Sequence, residues 1–220
     1  MRNAVLLPNG LVLTTDNSAG IGEKVDDVVH VEDEIVAYFC ARVALLEQWA
    51  AGAHTISIVV HNFTGNKSWD KYVAGIEKVF KEIEQSCPVV TGSTESNMAT
   101  LQSAMAVTMI GENRWANESE LRWFVYGKPC VGEEVLDHID KIADLKKIWI
   151  AMENGLVKQV WPVGSNGIVG ECIRLGLHGE LTGWNITKSA GPATSVLLGV
   201  GSDRIEDAKK YFGKYFEKIQ

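Results

Sequence analysis

No run of about 18 apolar residues occurs anywhere in the sequence, which excludes a membrane-spanning helix. Met1-Arg2-Asn3 is followed by only Ala4 to Leu7 before Pro8, too short for the apolar core of a secretory signal, so the expected location is the cytoplasm. Cysteine is sparse: Cys40, Cys87, Cys130 and Cys172 lie far apart, with no Cys-x-x-Cys pair. That excludes a zinc ribbon and a compact disulfide frame, and the four read as buried or incidental thiols. Basic residues are also short, 21 Lys and Arg against 28 Asp and Glu, for a net charge of -7. A phosphate backbone rewards clustered cations, so nucleic acid is not an expected partner. Neither a nucleophile elbow nor a His-Glu-x-x-His metalloprotease signature is present. Internal repeats and low-complexity tracts are absent, and the Trp residues, spread from Trp49 to Trp184, form no basic-aromatic run.

What is present is a 220-residue chain, 46% hydrophobic, long enough for one large or two small domains with a real core. Leu11 to Thr15 is rich in branched residues and bounded by Gly10 and Asp16-Asn17-Ser18, the pattern of a short strand ending in a turn. A helix is expected over Glu32 to Ala51, apolar in nearly every direction and therefore buried on most sides. His54 to Phe63 reads as a buried strand opening into a polar loop, Asn62 to Lys67. Ser68 to Glu84 is an amphipathic helix, with Trp69, Tyr72, Ile76 and Phe80 among its apolar positions. Pro88 to Val90 and Ala104 to Ile110 are further strands, the first feeding "TGSTESN", the second stopping at Gly111.

The polar stretch "GENRWANESE", Gly111 to Glu120, is the best linker, giving modules over residues 1–113 and 114–220. The second holds expected strands at Leu121 to Tyr126, Val157 to Trp161 and Thr194 to Gly201. Its expected helices run over Asp137 to Asn154, after Asn166 and from Ile205. Strands mixed with helices, without strict βαβ alternation, indicate an α+β fold.

Candidate chemistry collects at strand ends. Glu47 lies inside the apolar helix, where a carboxylate needs a cation, a metal or a loop donor. Arg42, five residues away, is poorly placed on the helix surface to serve. Asp16, Asp26 and Asp27 add carboxylates, the hard oxygen ligands that Mg²⁺ prefers. "GIGEK", Gly20 to Lys24, is neither a complete Walker loop nor a Gly-x-Gly-x-x-Gly fingerprint, and by itself an ordinary turn explains it better than a phosphate loop. "TGSTESN", Thr91 to Asn97, also follows a strand and packs small donors beside Glu95. His61 and Asn62 end a third strand, His61 either as a capping residue or as a ligand or base. Two such loops point to one shared pocket.

In order, these pieces resemble the ATP-binding superfamily of aminoimidazole ribonucleotide synthetase (PurM), thiamine-monophosphate kinase, selenophosphate synthetase and the hydrogenase maturation factor HypE. "TTD", Thr14 to Asp16, resembles its Thr/Ser-x-Asp metal site, and "GIGEK" its Gly-Val-Gly-Thr-Lys. "EQWAAGA" from Glu47 resembles its Asn-Asp helix running into Gly-Ala, and "VVTGSTES", Val89 to Ser96, its Gly-Gly-Glu/Asp-Thr loop. Glu47 stands where the family has Asp, and Ser93 where it has an acidic residue, with Glu95 two positions later as a substitute. The chain is also shorter than most members, the shortening falling in the second module.

The resemblance implies a PurM-like ATP-binding and dimerisation domain followed by a shortened C-terminal domain. It implies ATP and Mg²⁺ as cofactors, with Asp16, Asp27, Glu47 and Glu95 at the metal and Lys24, Asp16 and Glu47 at the chemistry. Nucleotide donors would come from Asn17, Ser18, Gly20, Gly22, His61, Asn62, Thr91, Gly92, Ser93 and Thr94. The compact length and the set "TTDNSAGIGEK…VVHNFTG…TGSTESN" are most similar to α-ribazole kinases, which implies a small nucleoside-like acceptor phosphorylated at its 5′-hydroxyl. The resemblance further implies a homodimer paired through the first-module sheets, in keeping with strands too apolar for solvated faces. A non-catalytic nucleotide-binding regulator and a synthetase-like ligase remain open as alternatives. In every case the expected work is positioning and charge neutralisation, since phosphoryl transfer needs little covalent help from protein.

Overall fold

The computed structural model describes residues 2–115, 120–178 and 181–219. The chain divides into two compact units, residues 1–115 and 116–220. Among the described residues no helix is long and apolar enough to cross a membrane.

The first unit opens with β1 (Val5–Leu6) and β2 (Leu11–Ala19), followed by two short parallel strands, β3 (Ile21–Gly22) and β4 (Val29–His30). Helix α1 (Asp33–Ala50) leads into β5 (Ala53–Asn62). A 3₁₀ turn at Asn66–Ser68 then opens α2 (Trp69–Glu82), and β6 (Val89–Thr94) and β7 (Ala104–Asn113) complete the unit. Its main sheet has the order β1-β2-β7-β5-β6, antiparallel except for the parallel β5–β6 pair. Alternate residues, among them Val12, Ile58, Val60, Met105, Val107 and Met109, are fully buried on the face that α1 covers. Gln48 of α1 is fixed to that face by Nε2 donating to the Met109 carbonyl at 2.9 Å and the Val12 carbonyl at 3.1 Å.

As the apolar wheel of α1 requires, α2 seals a second flank. The two helices meet at Gly75, where a Cβ would overlap the Glu34 carbonyl oxygen and stand 2.9 Å from the Tyr38 amide nitrogen. Gly75→Ala is therefore expected to lower the unfolding free energy by about 1–3 kcal/mol despite alanine's better helix propensity. Thermal melting would show it, and an unchanged or raised midpoint would contradict the close approach.

Several expectations are corrected. The strand expected to break at Asp16 continues to Ala19, because all nine residues of β2 find ladder partners on β7. The hydrogen-bonded ladder outweighs the turn preference of Asp16-Asn17-Ser18. β7 likewise passes Gly111 and ends at Asn113, and "TGST" of Thr91–Thr94 is strand, paired in parallel with β5. Residues 116–119 of the expected linker lie outside the described residues.

The second unit contains β8 (Arg122–Tyr126), α3 (Glu134–Asp137), α4 (Leu145–Glu153), β9 (Gln159–Pro162), α5 (Gly167–Leu175), β10 (Val196–Val200), α6 (Ile205–Phe212) and β11 (Phe216–Lys218). Its antiparallel sheet has the order β11-β8-β10-β9. Of the helix expected over Asp137 to Asn154 only α4 is helical, because α3 ends at Asp137 and Asp144 caps α4 by accepting from the Lys147 amide at 2.8 Å. Val125, Leu197 and Trp161 pack with Ile168 and Cys172 of α5, while Phe124, Phe212 and Phe216 stack in a second aromatic cluster.

Candidate functional site

Parallel pairing of β5 with β6, and antiparallel pairing of β7 with β2 and β5, brings four strand ends to one edge of the first unit. The loops over residues 20–31, 63–68 and 95–103 meet there. Bonds between distant residues tie them together. The Lys24 ammonium donates to the carbonyl and hydroxyl of Thr100, and the Thr100 hydroxyl donates to the Phe63 carbonyl at 2.9 Å. Gln102 Nε2 donates to the Asp26 carbonyl at 2.6 Å.

Asp27 is the buried brace of this arrangement. Its carboxylate accepts from the Ser103 amide and hydroxyl, each at 2.7 Å, and from the Lys24 amide at 2.8 Å. Burial pushes the Asp27 carboxyl up, but these donors outweigh it and hold it below the ordinary carboxylate range. Gly22 is required beside it: its φ is 153°, and a Cβ there would meet Ser103 Oγ at 2.5 Å and Asp33 Oδ1 at 2.8 Å. The Asp33 carboxyl is pushed up, chiefly by burial and further by Glu23, against a lowering hydrogen bond from Ser68.

Asn62 shapes the second loop: its Oδ1 accepts from the Thr64 amide at 2.9 Å, and its Nδ2 donates to the Gly65 carbonyl and to Thr94 Oγ1. Glu95 shapes the third, its Oε1 accepting from the Asn97 and Met98 amides at 2.7 and 3.0 Å. Lys24, Asp27, Gly20, Gly22, Asn62, Thr94 and Glu95 are thus brought to one edge. Asn17, Thr91, His61 and Ser93 lie on the uncovered sheet face, where Asn17, Ala106, His61 and Ser93 form one lateral row. Gly92 stands opposite Val60 within the β5–β6 ladder.

Asp16, Ser18 and Glu47 belong to neither group. Asp16 and Ser18 are on the helix side of β2, and burial lifts the Asp16 carboxyl to about 7 against lowering by the Asn17 amide, Cys40 and Arg2. Cys40, next to it, is raised by burial and by the Asp16 charge. Glu47 is held at the far end of α1, about 20 Å along the helix from Asp33. Its partners are Arg2, in a buried ion pair, and the Asn3 side-chain amide at 3.1 Å. The expected four-carboxylate metal set is therefore not assembled: among the described residues no three His, Cys, Asp or Glu converge on a common ion. The physical reason is the continued strand, which leaves Asp16 under the sheet, and the loop donors that already satisfy Glu47. Sequence reasoning missed Thr100 and Ser103, whose partners lie 76 residues away.

The topology, with one helix-covered mixed sheet followed by a smaller α/β unit, defines the class: a mixed α+β chain of PurM-like fold. No protein-family model and no curated protein matches the sequence. Among solved structures, it is similar to T. maritima PurL complexed with AMPPCP, at 13% identity and a TM-score of 0.58, over 99% of this chain and 42% of that one. It is also similar to thiamine monophosphate kinase from Aquifex aeolicus, at 12% identity and a TM-score of 0.61, over 99% of this chain and 86% of that one. A chain of the HypE–HypF complex gives 14% identity and 0.61, over 100% and 86%. The chain spans less than half of the PurL chain it resembles.

Proposed function

We propose that this chain is a magnesium- and ATP-dependent phosphotransferase whose nucleotide phosphates lie at the loop edge of the first unit. The observation that carries the reading is Lys24: its ammonium is held on a neutral residue, Thr100, with no carboxylate partner among the described residues, at the point where three loops meet. A cation so placed can face phosphate oxygens without first breaking an ion pair. Similarity in fold to PurL complexed with AMPPCP, HypE in complex with ATP and a thiamine monophosphate kinase supports it.

Magnesium bound with the nucleotide supplies charge neutralisation and needs only one or two carboxylates, its remaining positions filled by water and phosphate. Glu95 of the third loop and Asp27 of the first fit that modest demand. In the transfer, a bond forms between the acceptor oxygen and the γ-phosphorus. The bond from that phosphorus to the β–γ bridging oxygen breaks, ADP leaves with the electron pair, and the acceptor proton passes to water. Lys24 meets the negative charge along this path. The finer acceptor we propose is α-ribazole, phosphorylated at its 5′-hydroxyl.

Lys24→Ala is expected to lower kcat about 100-fold while weakening nucleotide affinity only severalfold, since the cation meets charge that grows in the transition state. Steady-state kinetics with a calorimetric affinity would check it, and equal losses in both would make Lys24 a ground-state anchor. A second reading, a nucleotide-binding protein without turnover, accords with the described residues, among which no carboxylate cluster converges. It predicts tight MgATP binding and no ADP release with any acceptor.

We also propose that the chain is a homodimer paired through the uncovered face of the first sheet. That face and the adjoining β1 edge expose Val5, Ile56 and Val89, at 54%, 40% and 74%, more apolar edge than a solvated sheet usually leaves. Sedimentation at micromolar concentration is expected to give twice the chain mass of 24.1 kDa. A strictly monomeric, fully active protein would contradict it.

A further inference from the structure

In the second unit, the segment between β8 and α4 closes on itself as a compact loop. The Lys128 amide donates to the Lys141 carbonyl at 2.8 Å, the Ala143 amide to the Thr194 carbonyl at 2.8 Å, and the Cys130 amide to Thr194 Oγ1 at 2.9 Å. Val135 and Ile142 are buried beneath it, and Lys188 pairs with its Glu134 at 2.6 Å. Bonded ends and a packed interior hold such a loop in one shape.

The face this loop turns to water differs from the rest of the unit. Among the unit's described residues four large apolar side chains are exposed, and three of them, Val131 at 44%, Leu136 at 45% and Ile139 at 53%, fall within nine residues. Two successive turns, closed by the His138 amide on the Glu134 carbonyl and the Lys141 amide on the His138 carbonyl, set Leu136 and Ile139 on one side, three residues apart. Beside them Glu133, Asp137 and Asp140 are exposed and stand in no ion pair among the described residues. From Pro129 to Asp140 the sequence has four carboxylates and no Lys or Arg.

Isolated exposed apolar residues need no explanation, but an apolar ridge lined by unpaired carboxylates on a fixed loop is complementary to a surface that is both apolar and cationic. The same charge repels a nucleic acid backbone and an anionic lipid surface. Nor do the carboxylates make a cation site of their own, since among the described residues no three His, Cys, Asp or Glu converge. We infer that the loop from Val131 to Asp140 docks a partner protein through an amphipathic helix, whose apolar face packs on Val131, Leu136 and Ile139 and whose Lys or Arg side chains meet Glu133, Asp137 and Asp140. The contact lies wholly in the second unit and does not depend on nucleotide binding in the first.

The test is calorimetry on the full chain at physiological salt, with a synthetic amphipathic helix as probe, Leu spaced three and four residues apart and Lys at the remaining positions. This peptide is expected to bind at least 10-fold more tightly than the same peptide with Glu in place of Lys. Leu136→Ser and Ile139→Ser, both at water-exposed positions that should leave the melting temperature unaltered, are each expected to weaken binding at least 5-fold. Ile173→Ser, at the fourth exposed apolar residue and outside the loop, is expected to change it less than 2-fold. Asp137→Asn combined with Asp140→Asn is expected to weaken binding and to reduce its salt dependence. No binding at submillimolar concentration, equal binding of the Glu peptide, an affinity unmoved by Leu136→Ser, or an equal loss in Ile173→Ser would each overturn the inference. A sedimenting mass that falls in Leu136→Ser would also overturn it, by making the occupant a second copy of this chain.

Discussion

Replacing Asp16 by asparagine is expected to stabilise the fold by up to about 4 kcal/mol at pH 8 and to change it little at pH 4. The folded carboxyl keeps its proton up to about 7, whereas the unfolded one releases it near 3.8. Between those values the native state binds more protons than the unfolded state, so the wild-type protein loses stability as pH rises and the loss is complete above pH 7. Asparagine keeps the neutral form at every pH and removes the slope. Denaturant unfolding of both proteins at pH 4, 6 and 8 checks it. Parallel pH profiles would show that Asp16 is ionised without cost, as it would be with a cation beside it.

Glu47→Gln should behave in the opposite way, losing about 3 kcal/mol of stability, because it strands the Arg2 guanidinium in a site almost closed to water. Arg2→Met paired with Glu47→Met should recover most of that loss, since removing both charges avoids an uncompensated ion. Nucleotide affinity, measured well below the melting temperature, should stay within twofold of wild type in Glu47→Gln. Denaturant midpoints give the stabilities. A variant with full stability and lost affinity would return Glu47 to the functional site.

These two carboxylates also show where the sequence was readable. That Glu47 needed a partner followed from the apolar wheel of α1, which left a metal ion and a loop donor open; the donors beside it are Arg2 and Asn3. Which donor it was could not follow, because the pairing spans 45 residues with no local pattern. Asp16 was misplaced for a different reason. Asp16-Asn17-Ser18 reads as a turn by local preference, but nine ladder positions on β7 hold β2 extended through it. Long-range hydrogen bonding overrode a local signal of a fraction of a kcal/mol per residue.

The mixed fold and the long elements were legible because their patterns are strong: α1 over Asp33–Ala50, α2 over Trp69–Glu82 and β5 over Ala53–Asn62 all carry continuous or periodic apolar residues. β3, β4 and β11, each of two or three residues, carry no such period and were not seen. That "GIGEK" and the end of "TGSTESN" come to one edge of the first unit is in keeping with both succeeding strands. The bonds that make it so, Lys24 to Thr100 and Asp27 to Ser103, use a segment that sequence alone left as plain loop.

The central claim is that MgATP is held at the loop edge by Lys24, and titration of MgATP into wild type, Lys24→Ala and Glu47→Gln by calorimetry tests it most directly. One nucleotide per chain is predicted for the wild type, with affinity reduced severalfold in Lys24→Ala and unchanged in Glu47→Gln. No binding to the wild type, or binding lost in Glu47→Gln and unaltered in Lys24→Ala, would contradict the account.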